Sequence, residues 1–248
     1  MDKYEHVFNI DYSDIGENHF LSNTGFLKFL QEAASMHSNS LNFGIEDLAR
    51  FDLGWVIMNW KLKVLKRPKY EEKILIKTWL RKIDKLFFYR DFEVYNEDKE
   101  KIAVATSKWI WFNIKEKTVS IINDEVIKQY KPINEEAIPN FVFSRMRTGN
   151  NFENKFNYRI QRRDIDTNHH VNNLNYLDFA YETLPEDVYT RVEFNEVEIM
   201  YKNEIKINED IECLYYKINE YEYIVTINSN STNKNNAIIK LKSNTQQM

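Results

Sequence analysis

Residues 164 to 173 read DIDTNHHVNN. Two carboxylates, two imidazoles and three amides fall within ten residues. A surface turn needs one or two such groups to close its own hydrogen bonds. This many can move protons and donate to a developing negative charge. In an extended run, alternation puts Asp166, Asn168 and His170 on one side and Thr167 and His169 on the other. A helix starting near Asn172 or Asn173 would aim its free N–H groups and positive dipole end at the same place. Adjacent His169 and His170 would then face opposite sides, and no second His-rich segment supplies ligands, so no metal is expected.

The same pattern occurs earlier. Residues 14 to 32 (DIGENHFLSNTGFLKFLQE) align without gaps with residues 164 to 182 (DIDTNHHVNNLNYLDFAYE), giving eight identities in nineteen positions. Two related halves explain this economically. The first copy keeps Asn18 but has Gly16 where the second has Asp166, and Phe20 where it has His170. It retains the helix entry and loses two ionisable groups, as expected of a half that keeps the scaffold without the chemistry. His169 recurs as His19 and Asp164 as Asp14, which points to fold or turn roles for both pairs. Asn172 and Asn173 read first as helix caps.

The elements that must position these groups also repeat. Phe26, Leu27, Phe29, Leu30, Ala33 and Ala34 mark one face of a helix, as do Leu174, Leu177, Ala180, Tyr181 and Leu184, with Pro185 as a stop. Strand-like runs rich in β-branched and aromatic residues follow at 55–66, 73–83, 86–96 and 102–114 in the first half. Those of the second half lie at 191–205, 210–218, 221–230 and 236–244. One helix followed by four or five antiparallel strands, twice over, predicts an α+β chain of two tandem hot-dog domains, each a sheet wrapped around a central helix. The expected domains are 1–130 and 153–248, with a linker at 131–152.

Composition sets the class. The chain has 248 residues, 43% of them hydrophobic and 15% aromatic, with a formal net charge of -4. That balance excludes a general nucleic-acid binder, which needs a strongly basic face. The single cysteine, Cys213, excludes an internal disulfide and fits a reducing compartment; it reads as a small core residue. No apolar run resembles a signal peptide or reaches the ~18 residues of a membrane span. A cytoplasmic protein with no membrane partner and no nucleic-acid partner is expected, and a homodimer is compatible with the sequence.

RRDIDTNHHVNNLNYLDFAYETLP resembles the signature of the acyl-acyl carrier protein thioesterases of plants and bacteria. TSKWIWFNIKEKTVSII resembles that family's Thr-Ser-Lys-Trp strand and the segment after it. The resemblance runs over roughly residues 5 to 215 and implies tandem hot-dog domains, a thioester hydrolase and no cofactor. The family's Asp-x-Asn-x-His run matches Asp166, Asn168 and His170. Its later glutamate matches Glu204, while the cysteine beside that glutamate is replaced by Ile205. If the resemblance holds, a cysteine nucleophile at that place cannot operate. For thioester hydrolysis we assign Asn168, with backbone N–H groups near the helix start, to the carbonyl oxygen, His170 and Glu204 to the water, and Asp166 to orienting the network.

Substrate contacts are expected from Phe20, Trp55, Met58, Asn172 and Asn173, with the acyl chain held by the first half. Trp55, Trp60, Trp79 and Trp109 otherwise read as core. Arg145, Arg147, Arg159, Arg162 and Arg163 form a basic run in an acidic chain, either a solvated linker or a dock for acyl carrier protein, which is acidic as a class. The competing readings are an acyl-coenzyme A hydrolase, a hot-dog hydratase or dehydratase, and a non-catalytic acyl-binding regulator.

Overall fold

The computed structural model describes residues 3–121, 124–149, 151–230 and 234–243. Ile122, Asn150 and Asn244, each at an expected motif or boundary, lie outside them. The chain divides into two units, Met1–Val142 and Phe143–Met248.

The first unit opens with β1 (Tyr4–Asn9), followed by α1 (Asn23–Ser40) and α2 (Ile45–Ala49). Four long strands come next: β2 (Leu53–Val64), β3 (Lys73–Asp84), β4 (Phe87–Tyr95) and β5 (Lys101–Asn113). A short β6 (Thr118–Ser120) pairs with β5, and α3 (Asp124–Tyr130) closes the series. The sheet order is β1-β3-β4-β5-β2, antiparallel throughout. The second unit has β7 (Asn154–Arg159), α4 (Asn175–Glu182), α5 (Glu186–Arg191), β8 (Glu196–Tyr201), β9 (Asp210–Lys217), β10 (Glu222–Ser229) and β11 (Lys234–Lys242). Its order, β7-β9-β10-β11-β8, is that of the first unit strand for strand. The repeat therefore extends from the motif to the whole topology.

The apolar face expected of α1 is buried in full: Phe26, Leu27, Phe29, Leu30, Ala33 and Ala34. It packs on β1 and β3, while α4 packs on β9, β10 and β11. Alternation works the same way in β9, where Ile211, Cys213 and Tyr215 are buried between exposed or half-buried neighbours. Each such aliphatic or aromatic side chain removed from water contributes about 1.5–3 kcal/mol.

Three expectations need correction. Each unit begins with a strand, so the order is strand, helix, then strands. β1 and β7 are short edge strands in which every second residue is exposed, so neither carries a strong apolar run. The expected strand 191–205 is strand only over Glu196–Tyr201. Beyond Tyr201 the backbone N–H groups of Lys202 and Asn203 turn to the Asn236 carbonyl at 2.8 and 3.3 Å, and the chain leaves the ladder. The segment after Tyr130 is irregular, but its first part is anchored. Ile133 N donates to Leu80 O, Ala137 N donates to Asp91 Oδ2, and Glu135 O accepts from Trp79 Nε1.

Candidate active site

The stretch 166–170 is a tight turn rather than an extended run. Asp166 N donates to His170 O at 2.9 Å and His169 N to Asp166 O at 3.1 Å, while Ile165 and Val171 form a bridge. Asp166 and His170 are brought to the same side by facing each other across the turn, not by alternation. His169 occupies a left-handed conformation, φ 62°, and His19 occupies the same one, φ 64°. Histidine is among the few side chains tolerated there, so a backbone demand explains the duplicated pair.

In the first unit Asn18 Oδ1 closes its own turn, accepting from Phe20 N at 3.1 Å. In the second unit Asp166 Oδ1 takes over this task, accepting from Asn168 N at 2.8 Å and His170 N at 3.4 Å. The Asn168 side chain is thereby released; its Nδ2 lies 3.5 Å from Asp166 Oδ2 and the residue is exposed. Asp164 closes the preceding turn through Oδ2, which accepts from Gln161 N at 2.7 Å and from the Tyr158 hydroxyl at 2.9 Å. Asp14 does the equivalent with Asp11 N.

Glu204 arrives on the loop after β8. His170 Nε2 lies 3.0 Å from Glu204 Oε2, and Lys206 Nζ lies 3.3 Å from Glu204 Oε1. His170 and Lys206 form a bridge, and Val171 N donates to Ile205 O, tying this loop to the turn. Asn236, 1% exposed, clamps it from below. Its Nδ2 donates to Glu204 O at 3.0 Å and its Oδ1 accepts from Ser229 N at 2.7 Å. Asp166, Asn168, His170 and Glu204 thus form one connected set at the surface of the second unit.

The equivalent first-unit loop is recognised by its hydrogen bonds. Leu21 N donates to Pro68 O as Val171 N does to Ile205 O, and Phe20 bridges Lys69 as His170 bridges Lys206. Arg67 therefore occupies the place of Glu204. Its Nη1 and Nη2 donate to Leu21 O and Asn23 Oδ1, both at 2.9 Å. The first unit lacks a third member of the set besides Asp166 and His170, a loss hidden from a comparison limited to the motif.

The helix entries also differ. Ser22 Oγ caps α1 by accepting from Gly25 N at 2.9 Å. A Cβ on Gly25 would stand 2.6 Å from Asp14 O, so only glycine lets α1 start that close to the turn. The second unit has Asn175 there, whose Nδ2 reaches Asp164 O at 3.2 Å, and α4 starts only at Asn175. Asn172 Oδ1 accepts from Leu174 N and its carbonyl from Asn175 N, both at 3.0 Å, so these two N–H groups are already taken. Asn173 O accepts from the Tyr201 hydroxyl. Tyr201 meets Tyr176 edge to face, and burial raises both phenol pKa values, keeping a neutral hydroxyl pair beneath the site. Neither tyrosine nor Lys206 was expected. The two-residue spacing of Glu204 and Lys206 is a signal for the lysine, whereas the tyrosines read as ordinary core.

Among the expected substrate contacts, Trp55 lines a cavity in the first unit with Ala34, Leu80, Phe88 and Trp109. Met58 sits at a bulge of β2 and Phe20 under Lys69, both outside that lining. Trp60 and Trp79 are core. Arg145, Arg147, Arg159, Arg162 and Arg163 are all exposed on the second unit. Cys213 is fully buried, and burial pushes its thiol up to about 12; Ile205 is likewise buried.

Residues 1–130 match the family model of the acyl-ACP thioesterase N-terminal domain, and residues 148–246 that of the C-terminal domain. Among curated proteins, the chain is 24% identical to an oleoyl-acyl carrier protein thioesterase of Arabidopsis thaliana over 85% of its own length and 62% of the relative's. It is 26% identical to an acyl-[acyl-carrier-protein] hydrolase of Cuphea viscosissima over 85% of its length and 54% of that protein's. It therefore spans somewhat more than half the length of these relatives. In fold it is similar to an acyl-ACP thioesterase of Bacteroides thetaiotaomicron, with a TM-score of 0.87 at 23% identity and 96% of both chains covered. The 12:0-ACP thioesterase of Umbellularia californica gives a TM-score of 0.84 at 19% identity, again over 96% of each chain.

Proposed function

Since the chain belongs to the acyl-acyl carrier protein thioesterase family, we propose that it hydrolyses acyl-acyl carrier protein in fatty-acid synthesis, releasing the free acid and the carrier thiol. The observation that carries this reading is the 3.0 Å pair between His170 Nε2 and Glu204 Oε2, whose first-unit counterparts are Phe20 and Arg67. With Nε2–H donating to the carboxylate, the neutral ring presents the Nδ1 lone pair as general base. His170 takes a proton from water as its oxygen attacks the thioester carbonyl carbon. Asn168 Nδ2 donates to the oxyanion, and Asp166 holds the turn that aims both groups. Collapse breaks the C–S bond, and the imidazolium returns its proton to the departing thiolate.

Water as nucleophile is supported by the state of the cysteine: a buried thiol held near 12 supplies almost no thiolate at neutral pH. The division of labour follows the losses in the first copy, with residues 153–248 performing the chemistry, residues 1–130 holding the acyl chain and 131–152 linking them. The five exposed arginines of the second unit suit an acidic carrier. No helix among the described residues is long and apolar enough to cross a membrane. A cytoplasmic place is our reading, supported by the single cysteine.

The test is thiol release from a panel of acyl-carrier substrates and matched acyl-coenzyme A thioesters at low and moderate salt. Turnover of the carrier substrates that falls more steeply with salt supports the reading. Turnover confined to coenzyme A thioesters would overturn the carrier assignment, and no turnover of either would overturn hydrolysis.

A further inference from the structure

The first unit buries a cation that has no carboxylate partner among the described residues. Arg90 on β4 is 5% exposed, and no carboxylate among the described residues forms an ion pair with it. Its sequence neighbour Asp91 faces elsewhere, toward Arg81, Thr106 and Ala137 N. The Arg90 Nη1 donates to His37 Nδ1 at 2.9 Å and Thr78 Oγ1 at 3.2 Å, and the guanidinium lies 5.7 Å from the Tyr130 ring centroid. All these partners are neutral: Nδ1 must carry a lone pair to accept, so His37 is uncharged. A buried ion with neutral partners alone is a standing cost to folding.

Arg90 lines the cavity that contains Trp55, Trp109, Phe88 and Leu80, together with the hydroxyl residues Ser35 and Ser38. The cavity has about 40 Å³ open to the centre of a water molecule and is partly open to the outside. At ~10–15 Å³ per water, that is the size of a carboxylate with its first carbon. An apolar wall around one fixed cation suits an anion on an apolar stem.

We propose that this cavity binds a carboxylate carried on a short apolar chain, with the carboxylate on Arg90 and the chain against the wall formed by Trp55 and Trp109, which pack edge to face. Two sources share this chemistry: a free carboxylic acid, and the far end of an acyl chain that carries a terminal carboxylate. The assignment stands on the first unit alone and survives failure of the thioesterase reading.

The experiment titrates the full chain with butanoate, butyramide and butan-1-ol at constant ionic strength, read by tryptophan fluorescence, because two tryptophans line the cavity. Butanoate is expected to bind at least ~10-fold more tightly than butyramide, the scale of one charge-assisted hydrogen bond. Arg90→Met, with a wild-type circular dichroism spectrum, is expected to reduce butanoate to the butyramide level, and Arg90→Lys to retain part of the difference. The proposal is overturned if butanoate binds no better than butyramide, if chloride gives the same response, or if folded Arg90→Met binds butanoate unchanged. Should Arg90→Met fail to fold, the wild-type selectivity alone decides. Thioesters then separate the sources. A higher kcat/KM for a carboxylate-terminated chain than for its methyl-terminated analogue assigns the site to substrate. Inhibition by butanoate without that gain assigns it to a free acid. Binding with neither effect supports the site and separates it from turnover.

Discussion

The His170 ring meets a carboxylate, while its neighbour His169 holds a backbone conformation. The two should respond differently to substitution. His170→Ala is expected to lower kcat by at least ~10²-fold, the low end of general-base contributions. His169→Gly should keep turnover within a few-fold and leave the melting temperature unchanged or higher, because glycine adopts positive φ freely. His169→Val, β-branched at the same φ, should cost about 1–2 kcal/mol in urea unfolding. Comparable losses of turnover in folded His169→Gly and His170→Ala would overturn this division. At Cys213 the expectation is inertness: Cys213→Ser should keep turnover within a few-fold. Thiol reagents should react slowly with the native protein, since burial holds the thiol up to about 12. A folded but inactive Cys213→Ser enzyme would revive a covalent mechanism.

At the scale of elements, two contacts set stability and position. Asn236 joins β11 to the loop that carries Glu204. Asn236→Ala leaves Ser229 N and the Glu204 carbonyl without this partner, and is expected to cost about 1–3 kcal/mol of stability. Loosening Glu204 should also lower kcat by ~10-fold or more with little change in KM; an unchanged kcat would sink the positioning role. On α1, His37 stacks on Tyr4 and accepts from Arg90 of β4. Burial first, and Arg90 second, lower its pKa from 6.5 to about 3. The unfolded chain therefore binds this proton more tightly than the folded one. The stability gained by keeping His37 neutral is complete above ~6.5 and is lost as pH falls from there toward about 3, at up to ~1.4 kcal/mol per pH unit. Urea unfolding at pH 7, 5.5 and 4 should show wild type losing stability faster than His37→Gln; parallel curves would refute the assignment.

For the molecule as a whole, the proposal assigns selection to the first unit and chemistry to the second. Ala34→Phe, which adds bulk to the cavity wall, should penalise longer acyl chains more than shorter ones. Each CH₂ denied burial is worth about 0.8 kcal/mol, so losing two or three shifts preference by one to two orders of magnitude. Asn168→Ala should depress kcat/KM for all chain lengths by a similar factor. A flat profile in Ala34→Phe, with Asn168→Ala reshaping preference, would reverse the assignment. Replacing Arg145, Arg147, Arg159, Arg162 and Arg163 together by Gln should raise KM for carrier substrates and flatten its salt dependence, while leaving coenzyme A thioesters nearly unaffected.

Much of this was legible in the chain itself. The repeat at Asp14 and Asp164, the apolar face of α1 and the alternation of the long strands follow from local periodicity, which needs no distant partner to be read. The identities of Asp166, Asn168, His170 and Glu204 as a candidate set were readable from residue type and resemblance. Their arrangement was not. Asp166 and His170 meet because a turn with a left-handed histidine folds one onto the other, and alternation along an extended strand was the wrong reason for the right pair. The edge strands β1 and β7 carry too few apolar residues to announce themselves; only pairing with β3 and β9 makes them strands. Arg67 stands in the place of Glu204, and Arg90 lies buried among neutral partners, because of contacts between segments far apart in sequence. Such facts depend on which surfaces meet, and a one-dimensional pattern carries no record of that until the sheet has formed.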